Sequence, residues 1–123
     1  MKKEFNILLS DRNKHIRDYL RRELAAEGYQ VYGAKNGQEI LKLILADAPI
    51  DILILDPELP YVNNLRILER LQLRKPSLPV IVHAFDVEEV NYLSPNFAVA
   101  IIEKKGNNID RIKSVVAEML GRS

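Results

Sequence analysis

Apolar residues in this chain come in short runs and in helical stripes, and the two kinds alternate along its length. Phe5-Asn6-Ile7-Leu8-Leu9 reads as a first strand, stopped by the polar, turn-like Ser10-Asp11-Arg12-Asn13. Ile16, Tyr19, Leu20 and Leu24 then recur at the i, i+3, i+4, i+8 spacing of one helix face. Arg17, Arg21, Arg22 and Glu23 fall on the opposite face, as expected of a solvated surface, and Gly28 suits the helix stop. Tyr29-Gln30-Val31-Tyr32 is a short second strand. Asn36-Gly37-Gln38-Glu39 has the form of a capping box, ahead of a helix that carries Ile40, Leu41, Ile44 and Leu45 and is ended by Pro49.

The run Asp51-Ile52-Leu53-Ile54-Leu55-Asp56 lies between Pro49 and Pro57. It is continuous rather than alternating and too short for a buried helix, which predicts a strand covered on both faces. Asn63 or Asn64 then starts a predicted third helix with Leu65, Leu68 and Leu71, and Pro76 and Pro79 close that unit. Val80-Ile81-Val82-His83 is a fourth strand. Asp86-Val87-Glu88-Glu89 opens a short helix that Ser94-Pro95 cuts off, and Ala98 to Ile102 is a fifth strand. Asn108 caps a last helix bearing Ile109, Ile112, Val115, Val116 and Met119.

Five strand–helix units in succession predict an α/β fold, a parallel sheet with helices on both faces. Right-handed crossovers leave few topologies. A flavodoxin-like (βα)5 doubly wound sheet, strand order 2-1-3-4-5, fits best, with its switch point between strands one and three. That order sets the carboxyl ends of those strands, Asp11 and Asp56, side by side. Lys104, just past strand five, reaches the same crevice along its flexible stem.

Composition narrows the function. At 123 residues the chain is expected to form a single domain, 1–123, long enough to bury a core unaided. The absence of cysteine excludes disulfides and thiolate metal sites. Eighteen basic against seventeen acidic residues give no strong pull toward nucleic acid or anionic membrane. No stretch approaches the ~20 apolar residues of a membrane span. Met1-Lys2-Lys3-Glu4 runs into the first strand without a signal-like apolar segment. The expectation is a soluble, cytoplasmic protein that engages neither nucleic acid nor membrane.

Two carboxylates and an amine at one crevice suggest phosphate or metal chemistry. An aspartate can attack a phosphoryl group and hold it as an aspartyl phosphate. The charge on the transferred group must then be neutralised by Mg²⁺, lysine or arginine. Mg²⁺ favours one or two carboxylates with waters and phosphate oxygens. A plain Asp11–Lys104 salt bridge joining two strand ends is the other reading, and spacing alone does not choose between them. No glycine-rich phosphate loop occurs, which disfavours a flavin or nucleotide site. Ser10 has no small-residue elbow around it, which disfavours a serine hydrolase. His15 is expected at the surface of the first helix, and His83 as a satisfied histidine at a strand end.

Four segments carry a resemblance. Ile7-Leu8-Leu9-Ser10-Asp11 with His15-Ile16-Arg17, Leu53-Ile54-Leu55-Asp56 with Leu59-Pro60, Leu78-Pro79-Val80-Ile81-Val82, and Ile102-Glu103-Lys104 together resemble the receiver domain of two-component response regulators, the CheY-like superfamily. The resemblance covers nearly the whole chain. It implies that Asp56 is the phosphoacceptor, Asp11 the first acidic-corner residue and Lys104 the conserved lysine. It implies Mg²⁺ held by Asp11, Asp56 and the backbone carbonyl of Glu58. It implies a phosphoryl-accepting signalling domain rather than an enzyme, served by a histidine kinase or phosphotransfer protein and acting on an output protein or a second copy of itself.

The chain also departs from the family pattern. The second acidic-corner position falls on Arg12, which cannot ligate a cation but, as a candidate site residue, could place positive charge where Mg²⁺ would otherwise sit. The switch hydroxyl position falls on Ala84, the aromatic switch position on Ile101, the proline after the lysine on Lys105 and the loop glycine on Asn64. These departures sustain an alternative, a degenerate receiver serving as a phosphorylation-independent protein-interaction module.

Overall fold

Five strands, β1 (Asn6–Ser10), β2 (Gln30–Ala34), β3 (Ile52–Leu55), β4 (Val80–Ala84) and β5 (Ala100–Glu103), form one parallel sheet in the order β2-β1-β3-β4-β5. The computed structural model describes residues 4–46, 48–60, 67–74, 78–85, 100–105 and 108–121. Its helices are α1 (Lys14–Ala26), α2 (Gly37–Leu45), α3 (Ile67–Leu73) and α4 (Ile109–Met119). The doubly wound topology expected from the alternation of elements is the one observed. The predicted start of the third helix at Asn63 or Asn64, the short helix after Asp86 and the opening of the fifth strand at Ala98 lie outside the described residues.

Side-chain alternation along the strands decides which layer each residue joins. Leu8, Leu53, Leu55, Val80 and Val82 point to the side covered by Ile40 and Ile44 of α2 and Ile67 and Leu71 of α3. Ile7, Leu9, Ile52, Ile54 and Ile81 point to the other side, under Leu20 and Leu24 of α1 and Ile109, Ile112 and Val116 of α4. All four residues of β3 are fully buried, as its unbroken apolar run requires. Burying one such side chain stabilises the fold by roughly 1.5–3 kcal/mol.

Local chemistry sets the helix ends, with some differences from expectation. Asn36 Oδ1 accepts from the Glu39 N–H at 2.9 Å, while Glu39 Oε1 accepts from the Lys35 N–H, one residue earlier than a standard capping box. Asn13 caps α1, accepting from the N–H groups of His15 and Ile16. Gly28 follows α1 at φ 97°, a conformation that favours glycine. Asn108 makes no side-chain cap to α4; its amide turns back and donates to the Glu103 carbonyl. Leu45, placed on the apolar stripe of α2, is the last residue of that helix and is 68% exposed. Nor is the basic face of α1 wholly solvated. Arg17 Nη1 donates to the Asp11 carbonyl at 2.8 Å, and Arg21 donates to the Val31 carbonyl.

Strand ends also shift. β1 includes Ser10, paired with Ala34, so β2 runs two residues past Tyr32. The pairing Leu9↔Ile54 places Asp11 and Asp56 at the same rung, each one residue beyond its strand. Lys104 follows β5, with its N–H donating to the Ala84 carbonyl at 2.6 Å.

Candidate functional site

The carboxyl edge of the sheet holds Asp11, Asp56 and Lys104 together. Asp11 and Asp56 are each 1% exposed, and the Lys104 side chain is 4% exposed. Lys104 Nζ lies 2.8 Å from Asp11 Oδ2 and 3.2 Å from Asp56 Oδ2. Isolated charges at this depth would cost several kcal/mol each, so the ammonium is what makes two buried carboxylates tolerable.

Both aspartates are oriented by the same device. Asp11 Oδ1 accepts from the Asn13 N–H at 2.8 Å, and Asp56 Oδ1 accepts from the Glu58 N–H at 3.0 Å. Each is an Asx turn, in which the carboxylate binds the backbone two residues on. Each turn fixes Oδ1 and leaves Oδ2 aimed at Lys104. Among the described residues Asp11 Oδ2 accepts no hydrogen bond and is held by the ion pair alone. Beneath the pair, Ser10 Oγ donates to the Ile54 carbonyl at 2.8 Å and accepts from the Asp56 N–H at 3.3 Å. One hydroxyl thus ties β1 to the point where β3 ends.

Arg12 and Glu58 form the rim. The Arg12 N–H lies 3.4 Å from Asp56 Oδ2, and its Nε lies 3.8 Å from the same oxygen. Its Nη2 is paired with Glu58 Oε2. Arg12 and Glu58 are 45% and 42% exposed, so this pair borders the buried cluster without belonging to it. Ala84 ends β4 between Asp56 and Lys104 in the strand order, buried and without a polar side-chain atom. Ile101 on β5 is 39% exposed.

His83 precedes Ala84 and lies with Phe85, Lys104, Ile16 and Tyr19 around a small recess beside the site. Burial pushes its imidazole down to about 4; Lys104 adds to the effect, while Asp11 and Asp56 oppose it. It is therefore a neutral wall group near neutral pH. Lys104 Nζ also lies 5.0 Å from the centre of the Phe85 ring, a cation–π contact. His15 is exposed on α1.

Three contributors do not stand out in the sequence. Asn13 is foreshadowed by its place two residues after Asp11 and just ahead of an apolar stripe. Ser10 and Phe85 carry no such signal, because their roles depend on strand neighbours far away in the chain.

The response regulator receiver domain family matches residues 7–116. The chain belongs to that family. Among curated response regulators, it is 37% identical to MprA of Mycolicibacterium vanbaalenii over 62% of this chain and 32% of that protein. It is 30% identical to RR06 of Streptococcus pneumoniae over 81% of this chain and 50% of that protein. The matched stretch thus covers 32% to 50% of the length of these relatives. Among solved structures, TrrA of Thermotoga maritima in complex with Mg²⁺-BeF superposes with a TM-score of 0.82 at 30% identity, covering 94% of this chain and 98% of that one. A structure of the histidine kinase ThkA in complex with TrrA contains a chain matching with a TM-score of 0.77 at 29% identity, again over 94% and 98%.

Whether this receiver domain suits the ion seen in TrrA is decided by its donor set. Mg²⁺ demands an octahedron of oxygens. Asp11, Asp56 and the Glu58 carbonyl remain to offer them. Both Oδ2 atoms already face the Lys104 ammonium, and the Arg12 guanidinium stands beside Asp56. No group of three or more acidic or histidine side chains able to hold a metal occurs among the described residues. The residues present do not fit a resident Mg²⁺. No helix among the described residues is long and apolar enough to cross a membrane.

Proposed function

We propose that this receiver domain accepts a phosphoryl group on Asp56 from a histidine kinase or phosphotransfer protein and passes the signal to an output protein or a second copy of itself. The observation that carries this reading is Lys104 Nζ within 3.2 Å of Asp56 Oδ2 and 2.8 Å of Asp11 Oδ2. A carboxylate oxygen of Asp56 attacks phosphorus, and the bond from phosphorus to the donor breaks. The donor leaves with the electron pair, as a neutral imidazole when it is a phosphohistidine protonated on its other ring nitrogen. Lys104 lies where charge gathers on the transferred group, the kind of preorganised cation that lowers such barriers. The protein acts as an acceptor rather than as an enzyme on a separate substrate, and the cytoplasm is where a kinase would reach it. Of the ligands expected for Mg²⁺, Asp11, Asp56 and the Glu58 carbonyl would have to hold the ion against Arg12.

The test is intact mass after incubation with a small phosphodonor such as acetyl phosphate. The expected result is one added phosphoryl group in the parent protein and none in Asp56→Ala. An adduct of equal yield in Asp56→Ala would overturn the assignment.

A second reading rests on Ala84. It offers no hydroxyl to a phosphoryl oxygen, and the nearby strand position is the aliphatic, half-exposed Ile101. Those residues suit a module that binds its partner without phosphorylation. Partner binding by Asp56→Ala separates the two: unchanged affinity supports the module, and lost regulation supports the acceptor.

A further inference from the structure

We propose that Arg12 supplies from within the chain the positive charge this site needs, so that Asp56 accepts a phosphoryl group without Mg²⁺. The proposal rests on the acceptor reading above and extends it. Three carboxylates (Asp11, Asp56, Glu58) meet two cations (Lys104, Arg12) at this edge. The formal charge is one negative. With an acidic side chain at position 12 it would be three negative. Arginine there shifts the site by two positive charges, the amount that one Mg²⁺ would bring.

The geometry agrees with the charge count. Arg12 Nε is 3.8 Å from Asp56 Oδ2, and Glu58 holds the far end of the guanidinium. The group is therefore restrained beside the acceptor before any donor arrives. It is 45% exposed, which leaves its remaining N–H donors open to an incoming phosphoryl group. A guanidinium fork matches two phosphate oxygens at once. A dication placed between Asp11 and Asp56 would instead meet Lys104 and Arg12 at short range.

With acetyl phosphate as donor, the step balances without a metal. A new bond forms from an Asp56 carboxylate oxygen to phosphorus, the phosphorus–oxygen bond to the acetyl group breaks, and acetate departs with the pair. Arg12 and Lys104 keep their protons throughout.

The experiment uses the whole chain with acetyl phosphate, in excess EDTA and separately in Mg²⁺, read by intact mass over time. The parent is expected to gain one phosphoryl group in EDTA at a rate Mg²⁺ does not increase. Arg12→Gln is expected to slow the EDTA reaction roughly 100-fold, the scale of losing one preorganised donor. Arg12→Lys, which keeps the charge but loses the fork, falls between them. Arg12→Asp is expected to react only when Mg²⁺ is added and, unlike the parent, to bind Mg²⁺ in a titration. Thermal melts confirm that the variants are folded, as a half-exposed position allows. An adduct in the parent that needs Mg²⁺, or an Arg12→Gln rate equal to the parent's in EDTA, would overturn this proposal and leave the acceptor reading standing. No adduct in any variant under either condition would overturn both.

Discussion

The middles of β1 and β3 and their carboxyl ends are buried alike but held by opposite physics. Leu9 and Ile54 are 0% exposed and sit among other apolar side chains; two residues on, Asp11 and Asp56 are 1% exposed and sit against an ammonium. In the middle, burial is itself the source of stability. At the ends, burial is a cost that only pairing offsets. The apolar centre of the sheet thus carries the stability that lets its rim hold charges out of water.

Removing the pairing gives the largest predicted effect. Lys104→Met leaves two buried carboxylates facing each other with only the half-exposed Arg12 guanidinium beside Asp56. Stability in chemical denaturation is expected to fall by roughly 3–5 kcal/mol. A loss below about 1 kcal/mol would mean that water already screens the pair and that the two regions are less distinct than drawn.

Leu53→Ala attacks the middle instead. It deletes a side chain buried between Leu8 and the α2–α3 layer, and a loss of about 2–5 kcal/mol is expected. The two losses are expected to differ in kind. Replacing Asp11 and Asp56 together by Asn should remove most of the Lys104→Met loss and leave the Leu53→Ala loss nearly untouched.

His83 belongs to the rim, one rung past the Leu55↔Val82 pairing and so level with Asp56, and its titration probes that region. Its pKa is about 4 folded against 6.5 for the free side chain. Below pH 6.5 the unfolded chain takes up a proton that the folded chain refuses until about pH 4, so stability falls as pH falls through that window. The expected loss is on the order of 3 kcal/mol. Denaturation at a series of pH values checks it, and His83→Gln should flatten that part of the profile.

Ser10→Ala is the mildest. It removes the hydroxyl that binds the Ile54 carbonyl on one side and the Asp56 N–H on the other. A loss of about 1–2 kcal/mol is expected, the scale of a buried polar group left unpaired. A crystal structure of the variant should show Asp56 displaced while Leu53 and Ile54 stay in place.

Much of this was readable in the chain. The unbroken apolar run of β3 announced a strand covered on both sides, and the alternation of strands with amphipathic stripes announced the parallel sheet. Asp11, Asp56 and Lys104 followed, because a winding order places strand ends without knowledge of side chains. What stayed hidden depends on distances across the fold. Nothing in Arg12 taken alone says that its guanidinium spans Asp56 and Glu58, and nothing in Arg17 says that it reaches back to the Asp11 carbonyl. Caps were legible in outline, but Asn108 turned toward Glu103 because its backbone, at φ −94° and ψ 11°, is not in the extended conformation of a capping residue.

The twin Asx turns have a practical meaning for anyone who wants to move this chemistry elsewhere. Each aspartate takes its aim from an amide only two residues downstream, inside Asp11-Arg12-Asn13 and inside Asp56-Pro57-Glu58. Much of the aim is therefore written in two tripeptides, while the host layer contributes their spacing and, through Ser10, the tie that holds the Asp56 N–H. Those tripeptides form a portable cartridge: spliced onto adjacent, level strand tips of an unrelated wound scaffold, with a serine ahead of the first, they would point their Oδ2 atoms at a common centre and need an amine to complete it.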